Sequence, residues 1–362
     1  MKKNLPIIQK LKEANLVGRG GAGYPVWQKW QAVFDSPVNT LTTEQSKIGK
    51  FVLCNCSEGE PGVSKDGFLI EKYSAEIING MKIALDYLGA KKGYFFINET
   101  YYKKYNKILT AEIKKAGVDI ELFKKPHSAG YIAGEESTLI NVIEGEHAEP
   151  RLKPPYPVSC GLWGQPTLVN NVETFYDICR VMSDNYAPTR AYSILGDCLF
   201  PGVYELPISY SIAQVLETTH NFPKFDFCVQ VGGDGSGEVL NHKQLNQPAT
   251  GAGSLHIYSI TKHKPLDLIK WWANFFLVES CGKCTPCREG TNRLALELSK
   301  PYIDWKMVGD LLTNLRDSSF CALGMSVPIP MISYIKNVVK LDKENILKIL
   351  PAEKAEMCKI IN

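Results

Sequence analysis

Between Glu279 and Gly290 the chain reads Glu-Ser-Cys-Gly-Lys-Cys-Thr-Pro-Cys-Arg-Glu-Gly, which sets Cys281, Cys284 and Cys287 at C-x2-C-x2-C spacing. Two intervening residues let the backbone curl while successive thiols turn toward one centre, so this is a metal-binding loop. A bacterial ferredoxin run would place a fourth cysteine four residues after the third, but that position is Thr291. The fourth ligand must come from Cys321 or Cys358. Cys321, in the apolar and turn-forming Phe320-Cys321-Ala322-Leu323-Gly324, shields a cluster from water better than Cys358 in its polar tail, and is preferred. Structural zinc sites usually pair two close ligands with a second such pair, and no second C-x-x-C or His pair follows. Three clustered thiolates and one distant one suit a [4Fe-4S] cube better than zinc, with disulfides or unrelated buried thiols as the plainer alternatives.

A second set of residues lies in loops. Gly18-Arg19-Gly20-Gly21-Ala22-Gly23-Tyr24-Pro25 is formally G-x-G-x-x-G, but it leaves a helix where the dinucleotide fingerprint leaves a strand. It is either a flexible turn or a nucleotide loop of another kind, in which backbone amides approach a phosphate or flat ring without Cβ interference. Glu58 and Glu60 follow a short apolar run, in Cys56-Ser57-Glu58-Gly59-Glu60-Pro61-Gly62, and Glu135-Glu136 open a helical stretch. Isolated acidic pairs are ordinarily solvated, and at a helix start they favour the positive end of its dipole. A strand end, however, is where parallel sheets meet ligands.

The elements that must position these loops alternate. A helix over residues 7–17 ends at Gly18; Phe51–Asn55 and Gly93–Asn98 read as buried strands; Phe68–Leu88 and a stretch through Lys115 read as helices. This alternation predicts a doubly wound α/β sheet. Residues 151–157, Arg-Leu-Lys-Pro-Pro-Tyr-Pro, should be extended. Val169-Asn170-Asn171-Val172-Glu173-Thr174 offers amides ahead of another helix. From about Arg190 short β-like pieces form a separate small α/β module, and from Leu266 the pattern is helical. The expected domains are 1–187, 188–262 and 263–362.

The net charge of +3 in 362 residues implies neither nucleic acid nor an anionic membrane. No segment is long and apolar enough to read as a leader or a span, so a cytoplasmic protein without a direct membrane span is expected, with its eleven cysteines as reduced thiols plus a metal site.

Taken in order, the glycine loop, Asn55 to Pro61, Gly134-Glu135-Glu136, Arg151 to Pro155, Val169 to Thr174 and Glu279 to Gly290 resemble the NADH-binding flavoprotein subunit of respiratory complex I. Related subunits of bidirectional hydrogenases and formate dehydrogenases share this core. The resemblance covers nearly the whole chain. It implies a Rossmann-like FMN domain, a small β-grasp domain of the soluble-ligand-binding type, and a C-terminal helical bundle holding one [4Fe-4S] cluster with Cys321 as fourth ligand. It further implies that Gly18, Arg19, Gly20, Gly21, Gly23 and Lys29 line the FMN, with Asn55, Ser57, Glu58, Tyr131, Gly134, Glu135, Asn170, Asn171 and Thr174 completing the pocket and Gly59 and Val169 as further cofactor-binding positions. NAD would meet Tyr24 and Tyr156 through its adenine, and Glu60, Glu136 and Lys153 through its polar groups. The implied activity is a diaphorase passing electrons from NADH, or to NAD, through FMN to the cluster. The implied partners are a thioredoxin-like [2Fe-2S] subunit and a larger iron-sulfur or hydrogenase-type subunit.

Against that pattern the chain carries Val26-Trp27 for a small Thr-Gly pair, Ala32 for a second stacking aromatic, Cys56-Ser57 for Ala-Asp, Gly59 for Ser and Ala133 for Cys. These departures support a second reading, an FMN and [4Fe-4S] relay whose NAD site is degenerate. The terminal extensions of some relatives are expected to be missing, leaving the minimal core.

Overall fold

The computed structural model describes residues 5–39 and 49–361, so the leader-free reading of Met1 to Asn4 lies outside the described residues. The chain divides into two units, one of residues up to Gly59 with Ser64–Arg190, the other of Glu60–Val63 with the chain from Ala191 onward.

In the first unit α1 (Leu5–Glu13) and α2 (Val26–Asp35) flank the glycine loop. The expected helix stops early, because Asn15 takes a left-handed φ of 48° and turns Leu16 into the core. Val17 then bridges Pro25, with Gly18 N–H donating to Tyr24 O at 2.9 Å and Val26 N–H to Leu16 O at 3.0 Å. The loop is thereby a closed one, held at its neck.

The chain continues as β1 (Phe51–Cys56), α3 (Lys65–Leu88), β2 (Lys92–Ile97), α4 (Glu99–Ala116), β3 (Ile120–Lys124), α5 (Glu136–Glu144), β4 (Thr167–Asn171) and α6 (Val172–Met182). The strands form a parallel sheet of order β3-β2-β1-β4. β3 and β4 are too short and too polar at their ends to stand out from periodicity. The register pairs Leu53 with Tyr94 on one side and Val169 on the other. These apolar runs are buried as parallel strands require. Asn98, Glu135 and Asn171 cap α4, α5 and α6 through their side chains. α3 packs on α6 so closely that Gly80 lies against the Phe175 backbone carbonyl. Residues 153–155 bend, and the bonds on either side of Pro154 are cis, so the proline run excludes helix without being extended throughout.

In the second unit β5 (Thr189–Gly196), β6 (Gly202–Pro207), α7 (Ile212–Thr218), β7 (Phe227–Val231), β8 (Glu238–Asn241) and β9 (Ser254–Ser259) build a mixed sheet of order β6-β5-β9-β7-β8. Tyr192, Val229, Ile257 and Leu216 lie in its core. The helices α8 (Pro265–Glu279), α9 (Thr285–Ser299), α10 (Trp305–Ser318), α11 (Ala322–Ser326), α12 (Pro328–Tyr334) and α13 (Pro351–Cys358) follow. Residues 322–339 are long and apolar enough to pass for a membrane span, but 67% of the stretch is buried within the fold.

Candidate functional site

The chain runs from β1 outward to β2 and β3 on one side and returns to β4 on the other, so the order reverses between β1 and β4. In an open parallel sheet the crevice beyond the strand ends at such a reversal receives the ligand. Asn55 and Asn171 are register partners there. The Asn55 amide donates to Gly134 O at 2.8 Å and its Oδ1 accepts Ser57 N–H at 3.1 Å, which fastens the loop after β1 to the turn before α5. Gly59 packs under Tyr131, whose ring would stand 3.0 Å from a Cβ at that position. Lys125 Nζ donates to Gly130 O at 2.7 Å and Ser57 Oγ at 3.3 Å.

At the N-terminus of α5, Glu135 accepts from Ser137 N at 3.0 Å and Thr138 N at 2.8 Å. Lys153 reaches both Glu135, at 2.7 Å, and Glu136, at 3.3 Å, while Lys29 binds Glu136 at 3.1 Å and Val169 O at 3.3 Å. Burial pushes the Glu135 carboxyl up, but Lys153 and Ser137 win and hold it below the ordinary range. The glycine loop meets this edge through Gly20, whose Cβ would stand 3.4 Å from Asn171 Cβ. Gly21 and Gly23 have φ of 114° and 63° with open space beside them, a cradle that side chains would strain and narrow. Oriented to satisfy both neighbours, Asn170 accepts Trp30 Nε1–H at 3.0 Å and donates to Val169 O at 3.1 Å. Tyr24 and Tyr156 are 51% and 53% exposed, rings offered to solvent.

Several expected residues are engaged by the protein itself. Arg19 is buried, its Nε donating to Asp177 at 3.1 Å and its N–H to Thr174 Oγ1 at 3.0 Å, so Arg19 and Thr174 hold the loop in place. Asn171 is committed to Lys65, Asp66, Asn55 O and the N–H of Glu173. Glu60 belongs to the second unit, where its carboxylate accepts Gly235 N–H at 3.0 Å and Ser236 O–H at 2.6 Å.

Beneath the strand ends lies a buried ionic set that sequence reasoning missed. Lys65, 3% exposed, contacts Asp66 at 2.8 Å and Glu173 at 3.2 Å. Burial lowers its pKa, yet Asp66, Glu173 and Glu58 raise it further, so it stays charged. The Lys-Asp pair after Pro61-Gly62 was the available signal, but nothing local says that it is buried.

In the second unit Cys281 is exposed, Cys284 caps α9, Cys287 is buried on its first turn and Cys321 caps α11. Gly324 brings the two helices together, since a Cβ there would stand 3.2 Å from Cys287 Cβ, and Lys283 lies 5.7 Å from the centre of the Phe320 ring. Burial pushes the Cys287 thiol up to about 11 against the Ser280 hydroxyl, which pulls it down, and Cys284, Cys321 and Cys281 add to the rise. Cys358 lies on α13 and does not figure among these neighbours. Among the described residues no group of three or more His, Cys, Asp or Glu side chains is arranged to hold a metal ion. The all-thiol donor set, without a carboxylate or imidazole, is that of iron-sulfur ligation.

The glycine loop, the Asn55–Gly134 contact and the paired Lys29 and Lys153 at the sheet reversal suit a flavin nucleotide, and the four cysteines of the second unit suit a [4Fe-4S] cube. Together with a parallel α/β unit they define the class of flavin and iron-sulfur oxidoreductase subunits. Residues 11–180 match the Nuo51 FMN-binding domain and residues 267–340 the NADH-ubiquinone oxidoreductase-F iron-sulfur binding region. The chain is 31% identical to the F subunit of the NADH-quinone oxidoreductase of Aquifex aeolicus, covering 88% of this chain and 80% of that one. It is 30% identical to the alpha subunit of the NAD-reducing hydrogenase HoxS of Cupriavidus necator, covering 94% and 61%. A crystal structure of an NAD+-reducing [NiFe]-hydrogenase in the H2-reduced state superposes with a TM-score of 0.83 at 28% identity, over 97% of this chain and 62% of that one. The chain thus spans about three fifths of the hydrogenase chains it matches. It belongs to the family of NADH-quinone oxidoreductase F subunits, oxidoreductase components that carry FMN and a [4Fe-4S] cluster.

Proposed function

We propose that the chain is the diaphorase subunit of a multisubunit oxidoreductase, exchanging electrons with NADH or NAD and relaying them singly to partner iron-sulfur subunits. The observation that carries this is the meeting of Asn55, Gly134, Glu135, Glu136, Lys29 and Lys153 at the β1/β4 reversal. In this reading the glycine-loop amides receive the FMN phosphate, Asn55 and the Gly134 turn border the ring, and Tyr24 and Tyr156 stack on the dinucleotide. Lys153 and Glu136 meet its polar groups. When bound, the flavin supplies the conversion of a two-electron hydride into single electrons, and the protein supplies stacking, charge and position. Cys281, Cys284, Cys287 and Cys321 hold the cluster. A β-grasp domain over 188–262 and a helical bundle over 263–362 follow the FMN domain, and the partners are a thioredoxin-like [2Fe-2S] subunit and a larger iron-sulfur or hydrogenase-type subunit. With all eleven cysteines unpaired, a reducing cytoplasm suits the chain.

Anaerobic titration of the FMN- and iron-reconstituted protein with NADH tests this directly. Bleaching of the flavin absorbance at stoichiometric NADH is expected; retained FMN that NADH does not bleach would reject it. The latter result would favour the relay reading, which the engagement of Glu60 with Gly235 and Ser236 supports.

A further inference from the structure

Ser319 is 5% exposed and its hydroxyl has no hydrogen-bond partner among the described residues. Buried hydroxyls are rarely left so, and an unmatched one points to a partner that the polypeptide does not provide. Ser319 caps the C-terminus of α10, two residues before Cys321. The space a Cβ at Gly324 would occupy is bounded by the Ser319 side chain, Oγ foremost, and by Cys287 Cβ at 3.2 Å. Ser319 thus stands at the wall between Cys287 and the turn that carries Cys321. A second hydroxyl flanks the same thiol. Ser280 Oγ lies 3.4 Å from Cys287 Sγ and accepts Gly282 N–H at 3.4 Å, which leaves its own hydrogen for sulfur.

We propose that Ser319 and Ser280 donate hydrogen bonds to the sulfurs of the cluster and thereby raise its reduction potential. The proposal rests on the assignment of a [4Fe-4S] cluster to Cys281, Cys284, Cys287 and Cys321. Reduction adds negative charge that the sulfurs share, and an O–H donor stabilises the more negative state by more than the less negative one. Removing the donor therefore shifts the equilibrium toward the oxidised form. Ser319, with no competing acceptor among the described residues, should have the larger effect.

The test uses the full chain reconstituted anaerobically as wild type, S319A, S319T and S280A. Iron and sulfide analysis is followed by an EPR-monitored redox titration. S319A is expected to load fully and to favour oxidation about tenfold, ~59 mV lower for one electron. S319T, which retains the hydroxyl, should keep the wild-type midpoint, and S280A should fall by less than S319A. A deuterium shift in the Fe–S stretching region of the Raman spectrum should shrink in S319A. A loaded S319A with the wild-type midpoint and deuterium shift would overturn the inference. If S319A does not load, S319G, which also lacks the hydroxyl, carries the same expectation. A wild-type chain that takes up neither iron nor sulfide would instead overturn the cluster assignment beneath it.

Discussion

Glu58 accepts the Tyr101 hydroxyl at 2.6 Å and, through both carboxylate oxygens, the Asp66 backbone N–H at 3.0 and 3.2 Å. Ser64, at the N-cap position of α3, makes no side-chain cap bond, so Glu58 caps the helix from the preceding loop. Its backbone takes a left-handed φ of 26°, uncommon for a residue with a Cβ. A residue expected to serve a cofactor is thus also the joint between β1, α3 and α4.

That joint makes stability depend on pH. Burial and the charge of Asp66 raise the Glu58 carboxyl to about 7, and burial raises Asp177 to about 7 against the pull of Arg19. Both exceed the ordinary carboxyl range of the unfolded chain, so the folded state binds more protons and stability falls as pH climbs from that range toward 7. Thermal midpoints of the cofactor-free chain should decline over this window. Glu58→Gln and Asp177→Asn should each flatten the slope; an unchanged slope in both would show that these carboxyls titrate normally.

Lys65 balances two buried carboxylates. Lys65→Met should destabilise by about 3–5 kcal/mol, because Asp66 and Glu173 are left without their cation. Denaturant unfolding of the full chain measures this, and a loss within experimental error of zero would mean that water reaches the pair.

The contact of Gly80 with the Phe175 carbonyl leaves no room for a methyl group. Gly80→Ala should cost ~1–3 kcal/mol despite the better helix propensity of alanine. Stabilisation would show that α3 and α6 separate freely.

The fourth ligand separates Cys321 from Cys358. Cys321→Ser should lose the brown chromophore and most of the iron, while Cys358→Ser keeps both. Iron, sulfide and EPR measurements decide, and full cluster content in Cys321→Ser would reopen the ligand assignment.

The exposed rings bear on dinucleotide affinity. Tyr24→Ala and Tyr156→Ala should each weaken NADH binding by about 0.5–1.5 kcal/mol, the scale of an aromatic pair, with little effect on flavin content. Equilibrium titration of the FMN-loaded protein measures it. Unchanged affinity in both variants would exclude these residues from the site.

Much of the molecule is legible locally. The spacing of Cys281, Cys284 and Cys287 needs only a curling backbone, β1 and β2 are continuous apolar runs, and the glycine loop declares close backbone approach by composition alone. The rest depends on residues far apart in the chain. That the turn carrying Cys321 packs on the helix carrying Cys287 follows from Gly324 having no side chain at that contact. That Arg19 turns inward follows from Asp177 being buried behind the loop. That Glu60 joins the second unit follows from free amide and hydroxyl donors at Gly235 and Ser236. A polar side chain carries the same letter whether solvated, capping a helix or buried in an ion set. Only the packing of distant segments determines which partner desolvates it, and hence its role.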